Sequence, residues 1–162
     1  MLHRTDIIDR VKDLIRTKGL GARLGLKTIQ HGDWRRLPQP DDFDAALPCV
    51  LISIKDIVFA EPIADALTAA AQQVYELTLF YVRRYPENEI VAKQDELGLD
   101  ALSEIFRDLS LEDRMISPNR IMISALIRRI EESPAEFRPV EELLSDFSVT
   151  ALRGEIIFIS ER

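Results

Sequence analysis

Apolar residues along the chain recur with two periods, and the switches between them lay out the elements. Near the N-terminus Ile7, Ile8, Val11, Leu14 and Ile15 follow the three-and-four spacing of a helix with one buried stripe. Thr5 stands where an N-cap belongs and Gly19 where a C-cap belongs. From Leu20 to Leu47 the period is lost, because Gly21, Gly25, Gly32, Pro38 and Pro40 break any long element and leave room only for a short strand in LKTIQH. A connection of that length is usually functional or ordered by a partner.

The stretch PCVLISIKDIVFAEP then alternates, with Val50, Ile52 and Ile54 on one face of a strand and Leu51 and Ser53 on the other. The polar pair Lys55-Asp56 is a place for a turn, yet Ile57, Val58 and Phe59 resume the apolar run. The alanines and Leu67 of IADALTAAAQQ favour a helix from Pro62, whereas a strand that passes Lys55 and returns through Ala69 to Gln73 makes a long hairpin arm; periodicity leaves both open. VYELTLFYVRRY is a strand, with Tyr75, Leu77, Leu79 and Tyr81 against Glu76, Thr78, Phe80 and Val82, ending at Pro86.

PENEIVAKQDELG reads as a polar connector, after which Asp100 caps a second amphipathic helix carrying Leu102, Ile105, Phe106 and Leu109. In RIMISALIRRIEESP, Ser117-Pro118 resembles a helix start, but Ile121, Ile123, Ala125 and Ile127 alternate, which favours a strand from about Ser124 to Glu131. EELLSDF allows a helical turn, and VTALRGEIIFIS closes the chain as a strand. The expected fold is α+β: an N-terminal helix and a second amphipathic helix packed on a mostly antiparallel sheet, in one domain over 1–162 with 57–73 as an arm or insertion.

Bulk properties narrow the function. A chain of 162 residues with 46% hydrophobic content suits one soluble domain. No apolar run reaches the roughly 20 residues that span a bilayer, and the acids of MLHRTDIIDR stand where a signal peptide is apolar, so a cytoplasmic product without membrane contact is expected. A formal net charge of −7 argues against tight nucleic-acid binding. The doublets Arg35-Arg36, Arg83-Arg84 and Arg128-Arg129 read as solvated strand or loop edges, or as partners for acids on another subunit.

Candidate chemistry fails on context. GLGARLGLKT has the glycines of a phosphate loop, but they follow a helix, and Leu26 separates Gly25 from Lys27. Cys49 and His31, with Asp33 in HGDW, supply a nucleophile, a base and an acid, yet Cys49 in its apolar run belongs in a core. With only His3 and His31 besides, zinc spacing is missing. Asp41, Asp42 and Asp44 suit a solvated acidic turn, and Tyr75, Tyr81 and Tyr85 suit sheet packing better than base stacking. No enzyme, no cofactor and no metal are expected.

Taken in order, the first helix, the glycine-containing connection, LPCVLISI, the long excursion, YELTLFYV, LDALSEIFRDL and VTALRGEIIFI resemble the tail terminator and tail completion (neck) proteins of tailed bacteriophages. The resemblance implies a structural virion protein. Its subunits form a ring, hexameric in that family, that caps the tail tube and joins it to the neck or head connector. Its partners are further copies of itself, the tail tube protein and the connector. It is assembled in the bacterial host cytoplasm and resides in the virion, and gene transfer agents carry similar caps. Candidate subunit contacts are Ile57, Val58, Phe59, Glu61, Arg83 and Arg84. The alternatives are a head-side stopper or connector, a monomeric adaptor that binds peptides along a sheet edge, and a hydrolase using Cys49 and His31.

Overall fold

The computed structural model describes residues 4–32, 45–57, 71–111, 120–141 and 146–160. Helix α1 (Arg4–Thr17) carries the expected stripe, and Ile7, Ile8, Val11, Leu14 and Ile15 are all buried. It is already running at Arg4, so Thr5 lies in its first turn instead of capping it. Gly19 ends it as expected: at φ 68° it takes the left-handed conformation that costs a glycine nothing, and its N–H donates back to the Arg16 carbonyl at 3.0 Å. The single turn α2 (Leu20–Arg23) follows at once and buries Leu20.

Strands β1 (Thr28–His31), β2 (Cys49–Ile57), β3 (Ala71–Arg84), β4 (Arg120–Glu132) and β5 (Phe147–Ser160) form one sheet in the order β1-β2-β3-β5-β4. LKTIQH thus does yield a short strand, and β1 pairs in parallel with β2. Every other pairing is antiparallel. The class is α+β.

Strand β2 does not turn at Lys55-Asp56, because both residues stay in register with Glu76 and Tyr75, and pairing continues to Ile57 opposite Val74. On the return side Ala71, Gln72 and Gln73 are strand, paired with Ser160, Ile159 and Phe158, so a helix across all of 62–73 is ruled out at its last three positions. Residues 58–70, and with them Val58, Phe59 and Glu61, lie outside the described residues. In 120–131 the alternation wins: β4 is a strand, longer at its start than expected, and residue 119 lies outside the described residues. A 3₁₀ turn (Ala135–Phe137) runs into the one-turn helix α4 (Arg138–Glu141), and most of EELLSDF, residues 142–145, lies outside the described residues.

The second amphipathic helix needs a larger correction. Helix α3 (Glu89–Leu111) absorbs the supposed polar connector, and its cap is Asn88, whose Oδ1 accepts the Val91 N–H at 3.0 Å, not Asp100. The core-facing line 95, 98, 102, 105, 109 begins well before Asp100, but positions 95 and 98 hold Asp and Gly where an apolar residue would announce the stripe.

Both long helices pack on one sheet face. There the α1 stripe and Leu102, Ile105, Phe106 and Leu109 of α3 meet Val50, Ile52 and Ile54 of β2 and Tyr75, Leu77, Leu79 and Tyr81 of β3. Each such side chain contributes about 1.5–3 kcal/mol when fully buried. The other face holds a smaller cluster of Leu47, Cys49, Leu51, Phe80, Val82, Val149 and Ala151 around Phe137, whose ring lies 5.0 Å from that of Phe80. Strands β2, β3 and β5 are therefore apolar on both faces, which is why their text reads as nearly continuous hydrophobic runs. Gly154 is the tightest contact: an added Cβ would overlap the Phe106 ring and stand 2.5 Å from the Leu126 carbonyl oxygen.

Candidate functional site

The helix-facing line of β3 does not end at Tyr81. Arg83 continues it, and the guanidinium points into the space under the first turns of α3. Its Nε and Nη2 donate to the two Asp95 carboxylate oxygens, each at 2.7 Å, while Nη1 donates to Thr150 Oγ1 of β5 at 2.8 Å and to the Tyr81 carbonyl at 3.2 Å. The guanidinium carbon also lies 4.7 Å from the Tyr81 ring centroid. The forked geometry satisfies both oxygens of the acid, the arrangement in which a desolvated ion pair holds its place. It fastens α3 to β3 and β5 at once. Burial, and next the Asp95 charge, push the Tyr81 hydroxyl pKa up, with Arg83 acting the other way.

Beside this pair is a cleft of about 250 Å³ between α2, the Leu47-Pro48 corner and α3, lined by Arg23, Leu24, Tyr81, Arg84, Val91 and Gln94 among others. Gly98 allows the close approach there, since an added Cβ would meet the Leu24 side chain. The acid in the cleft is already bound in both oxygens to Arg83, so it offers no free base for chemistry.

A second charged network lies on the other sheet face. Arg153 donates to Glu131 Oε2 at 3.0 Å and to Glu136 Oε1 at 2.8 Å, and its guanidinium lies 5.7 Å from the Phe80 ring centroid. Burial would lower the Arg153 pKa, but its hydrogen bonds to Glu136 and Glu131 carry it above the ordinary value. This ties β5 to β4 and to the 3₁₀ turn. Beyond it β4 is an edge: among the described residues no strand pairs with its outer side. Its register shifts between Met122 and Ser124 and again between Ile127 and Arg129. The second shift places Leu126 and Ile130 on opposite faces of the edge, both about half exposed.

The residues singled out by sequence fall out as follows. Arg83 is not solvated, as the doublet reading held, but buried and internally paired; Arg84 is exposed. Arg128 and Arg129 are solvated, as expected, and approach Glu155 and Glu131 at 3.4 and 3.1 Å. The backbone of Ile57 is at the end of β2. Arg35-Arg36, Asp33, Asp41, Asp42 and Asp44 lie outside the described residues.

Cys49 is fully buried, and burial pushes its thiol pKa up to about 12, so no thiolate is available at neutral pH. His31 is exposed, and β1–β2 pairing sets it opposite Ile52, three positions from Thr28, the partner of Cys49. The structure does not bring base and thiol together. Tyr75 and Tyr81 are core residues and only Tyr85 is open, so no stacking platform forms. Sequence reasoning missed Arg83–Asp95 and Arg153–Glu131–Glu136. The first had a signal, because the alternation that fixed Tyr75 to Tyr81 on the inner face continues to Arg83; the second had none, since Glu131 and Glu136 reach Arg153 only through the fold.

No family model matches the chain, and no curated protein matches it. Among solved structures, the fold is similar to that of a chain in the virion of a native gene transfer agent particle, at 15% sequence identity and a TM-score of 0.55, over 93% of this chain and 92% of that one.

Proposed function

We propose that the chain is a structural subunit of a phage-like particle, and within it a tail terminator: a ring-forming protein that caps the tail tube and joins it to the neck or head connector. The observation that carries this reading is the likeness, end to end, to a chain of a gene transfer agent virion. It agrees with the element order, which resembles that of tail terminators. Among the described residues, the Asp95 carboxylate is bound to the Arg83 guanidinium in both oxygens, and the Cys49 thiol is buried and protonated.

The shape of the sheet adds support. Strands β3 and β5 pair over 14 residues each, about 45 Å. Asp95 of α3 is level with Arg83 and Phe106 with Gly154, so the five residues left in α3 add about 7.5 Å and end near Tyr75. The described strands run on past that point, and we take 57–73 as an arm of a single domain that carries contacts to neighbours through Ile57, Val58, Phe59 and Glu61.

The test is to add the purified protein to tail tubes from particles that lack it and image them by electron microscopy. Rings at one end of tubes of uniform length are expected, and Ile57→Asp with Phe59→Asp should leave a folded subunit that does not cap. Binding to the connector without the tube would make it a head-side stopper. One feature favours a second reading, the long β4 edge, which suits a monomeric adaptor adding a peptide strand. A chain that stays monomeric, ignores tubes and binds extended peptides would establish that instead.

A further inference from the structure

The cleft between α2, the Leu47-Pro48 corner and α3 contains three polar side chains that the fold leaves unused. Tyr81 is only 4% exposed, and its hydroxyl reaches the cleft beside Gly98 and Leu24. No group among the described residues hydrogen-bonds to that hydroxyl, although a buried hydroxyl without a partner costs free energy. Arg23 and Gln94 line the same cleft, are exposed, and are likewise without a partner among the described residues. Asp95 does not serve them, because Arg83 holds both of its oxygens.

The balance of charge selects an anion. Among the described residues three arginines and one acid line the cleft, a local excess of cations in a chain of net charge −7. A phosphate is a poor match, because one unengaged guanidinium and one hydroxyl cannot replace its water, and much of the remaining lining is Leu24, Leu47, Pro48 and Val91. A single carboxylate with an apolar group beside it suits both halves. Arg23 answers the charge, and the Tyr81 hydroxyl, kept protonated by its raised pKa, donates to an oxygen. Apolar surface also continues outside: Tyr85 and Ile90, chain neighbours of the lining residues Arg84 and Val91, are 67% and 74% exposed. That extent suits an occupant longer than the cleft.

We propose that this cleft takes the C-terminal end of a partner polypeptide whose last residue is aliphatic. The terminal carboxylate meets Arg23 and the Tyr81 hydroxyl, the last side chain packs on Leu24, Leu47 and Val91, and Gln94 bonds the amide before it. The volume of about 250 Å³ has room for one leucine-sized side chain with its carboxylate. The site goes beyond tube capping and does not depend on it, since it lies at the Arg84 end of β3, away from the 57–73 arm.

The experiment titrates the full chain into a fluorescein-labelled Gly-Ser-Gly-Ser-Gly-Leu peptide with a free C-terminus and reads anisotropy. Saturable binding is expected, with a loss of roughly tenfold or more when the terminus is amidated, when the last residue is glycine, and in Arg23→Gln. Tyr81→Phe keeps its ring in the core and should melt at the wild-type temperature while binding roughly tenfold more weakly. Arg128→Ala, on the far edge of the sheet, should bind as wild type. Equal binding of the amidated peptide, or affinity unmoved in both Arg23→Gln and Tyr81→Phe, would put the peptide elsewhere, the β4 edge included, and overturn the proposal. Hexanoate that binds as tightly as the peptide would make the ligand a free apolar acid and overturn it too. Failure to saturate at high micromolar protein would overturn the site outright, and tube capping by the same preparation would show that failure to be separate from the terminator reading.

Discussion

Two arginine doublets, Arg83-Arg84 and Arg128-Arg129, are written alike in the sequence and each sits on a strand, yet they have different fates. Arg83 is on the central strand β3, under α3, and makes four hydrogen bonds through its guanidinium. Arg128 and Arg129 are on the edge strand β4, at a register shift, and keep their charge in water with acids 3.4 and 3.1 Å away. What separates them is how much water each position retains. A desolvated guanidinium must find an acid and hold it, and it becomes a fastening; an exposed one contributes little to folding and is free to serve an interface.

That contrast can be broken most sharply at Arg83. Arg83→Met leaves Asp95 desolvated and without its partner, and should cost about 3 kcal/mol in chemical denaturation, whereas Arg83→Met combined with Asp95→Leu should recover most of the loss. A single variant as stable as wild type would mean that the pair is solvated and the comparison empty.

Gly154 tests whether the centre is as tightly packed as the pairing implies. Gly154→Ala drives a methyl into Phe106 and into the Leu126 carbonyl, and the carbonyl belongs to the sheet and cannot swing away. A loss of about 1–3 kcal/mol is expected. A neutral result would show that β4 can draw back from β5, which would make the edge less fixed than its pairing suggests.

Cys49 provides a pH signature of the same interior. Its thiol pKa is raised from 9.0 to about 12, so the folded state keeps a proton that the unfolded state releases. The stabilisation is present in full below the unfolded value and is lost as pH climbs from there toward the folded one. Wild type should therefore lose melting temperature more steeply than Cys49→Ala between about pH 9 and 12. Parallel curves would place the thiol in water.

The smallest effect should come from the edge. Arg128→Ala and Arg129→Ala should each change monomer stability by less than about 0.5 kcal/mol, read by the same denaturation curves. A loss near that of Arg83→Met would show that these side chains also tie the fold together, and that the two doublets differ less than their exposure indicates.

Periodicity by itself determined the elements whose apolar residues all face one core. The α1 stripe, the two faces of β2 and β3, and the strand character of β4 and β5 were readable because burial repeats every 3.6 or two residues wherever packing is the only demand. The apolar run around Cys49 likewise put it in the interior. Only the tertiary structure could decide the rest. The first turns of α3 were misread as a connector because their core line carries Asp95 for Arg83 and Gly98 for Leu24, choices that make sense only against β3 and α2. The sheet order, with β5 between β3 and β4, left β4 as the edge and so decided which arginines are fastenings and which are surface. A one-dimensional pattern records that a position is buried or exposed. It does not record what stands opposite, and for a charge that is the quantity that fixes its role.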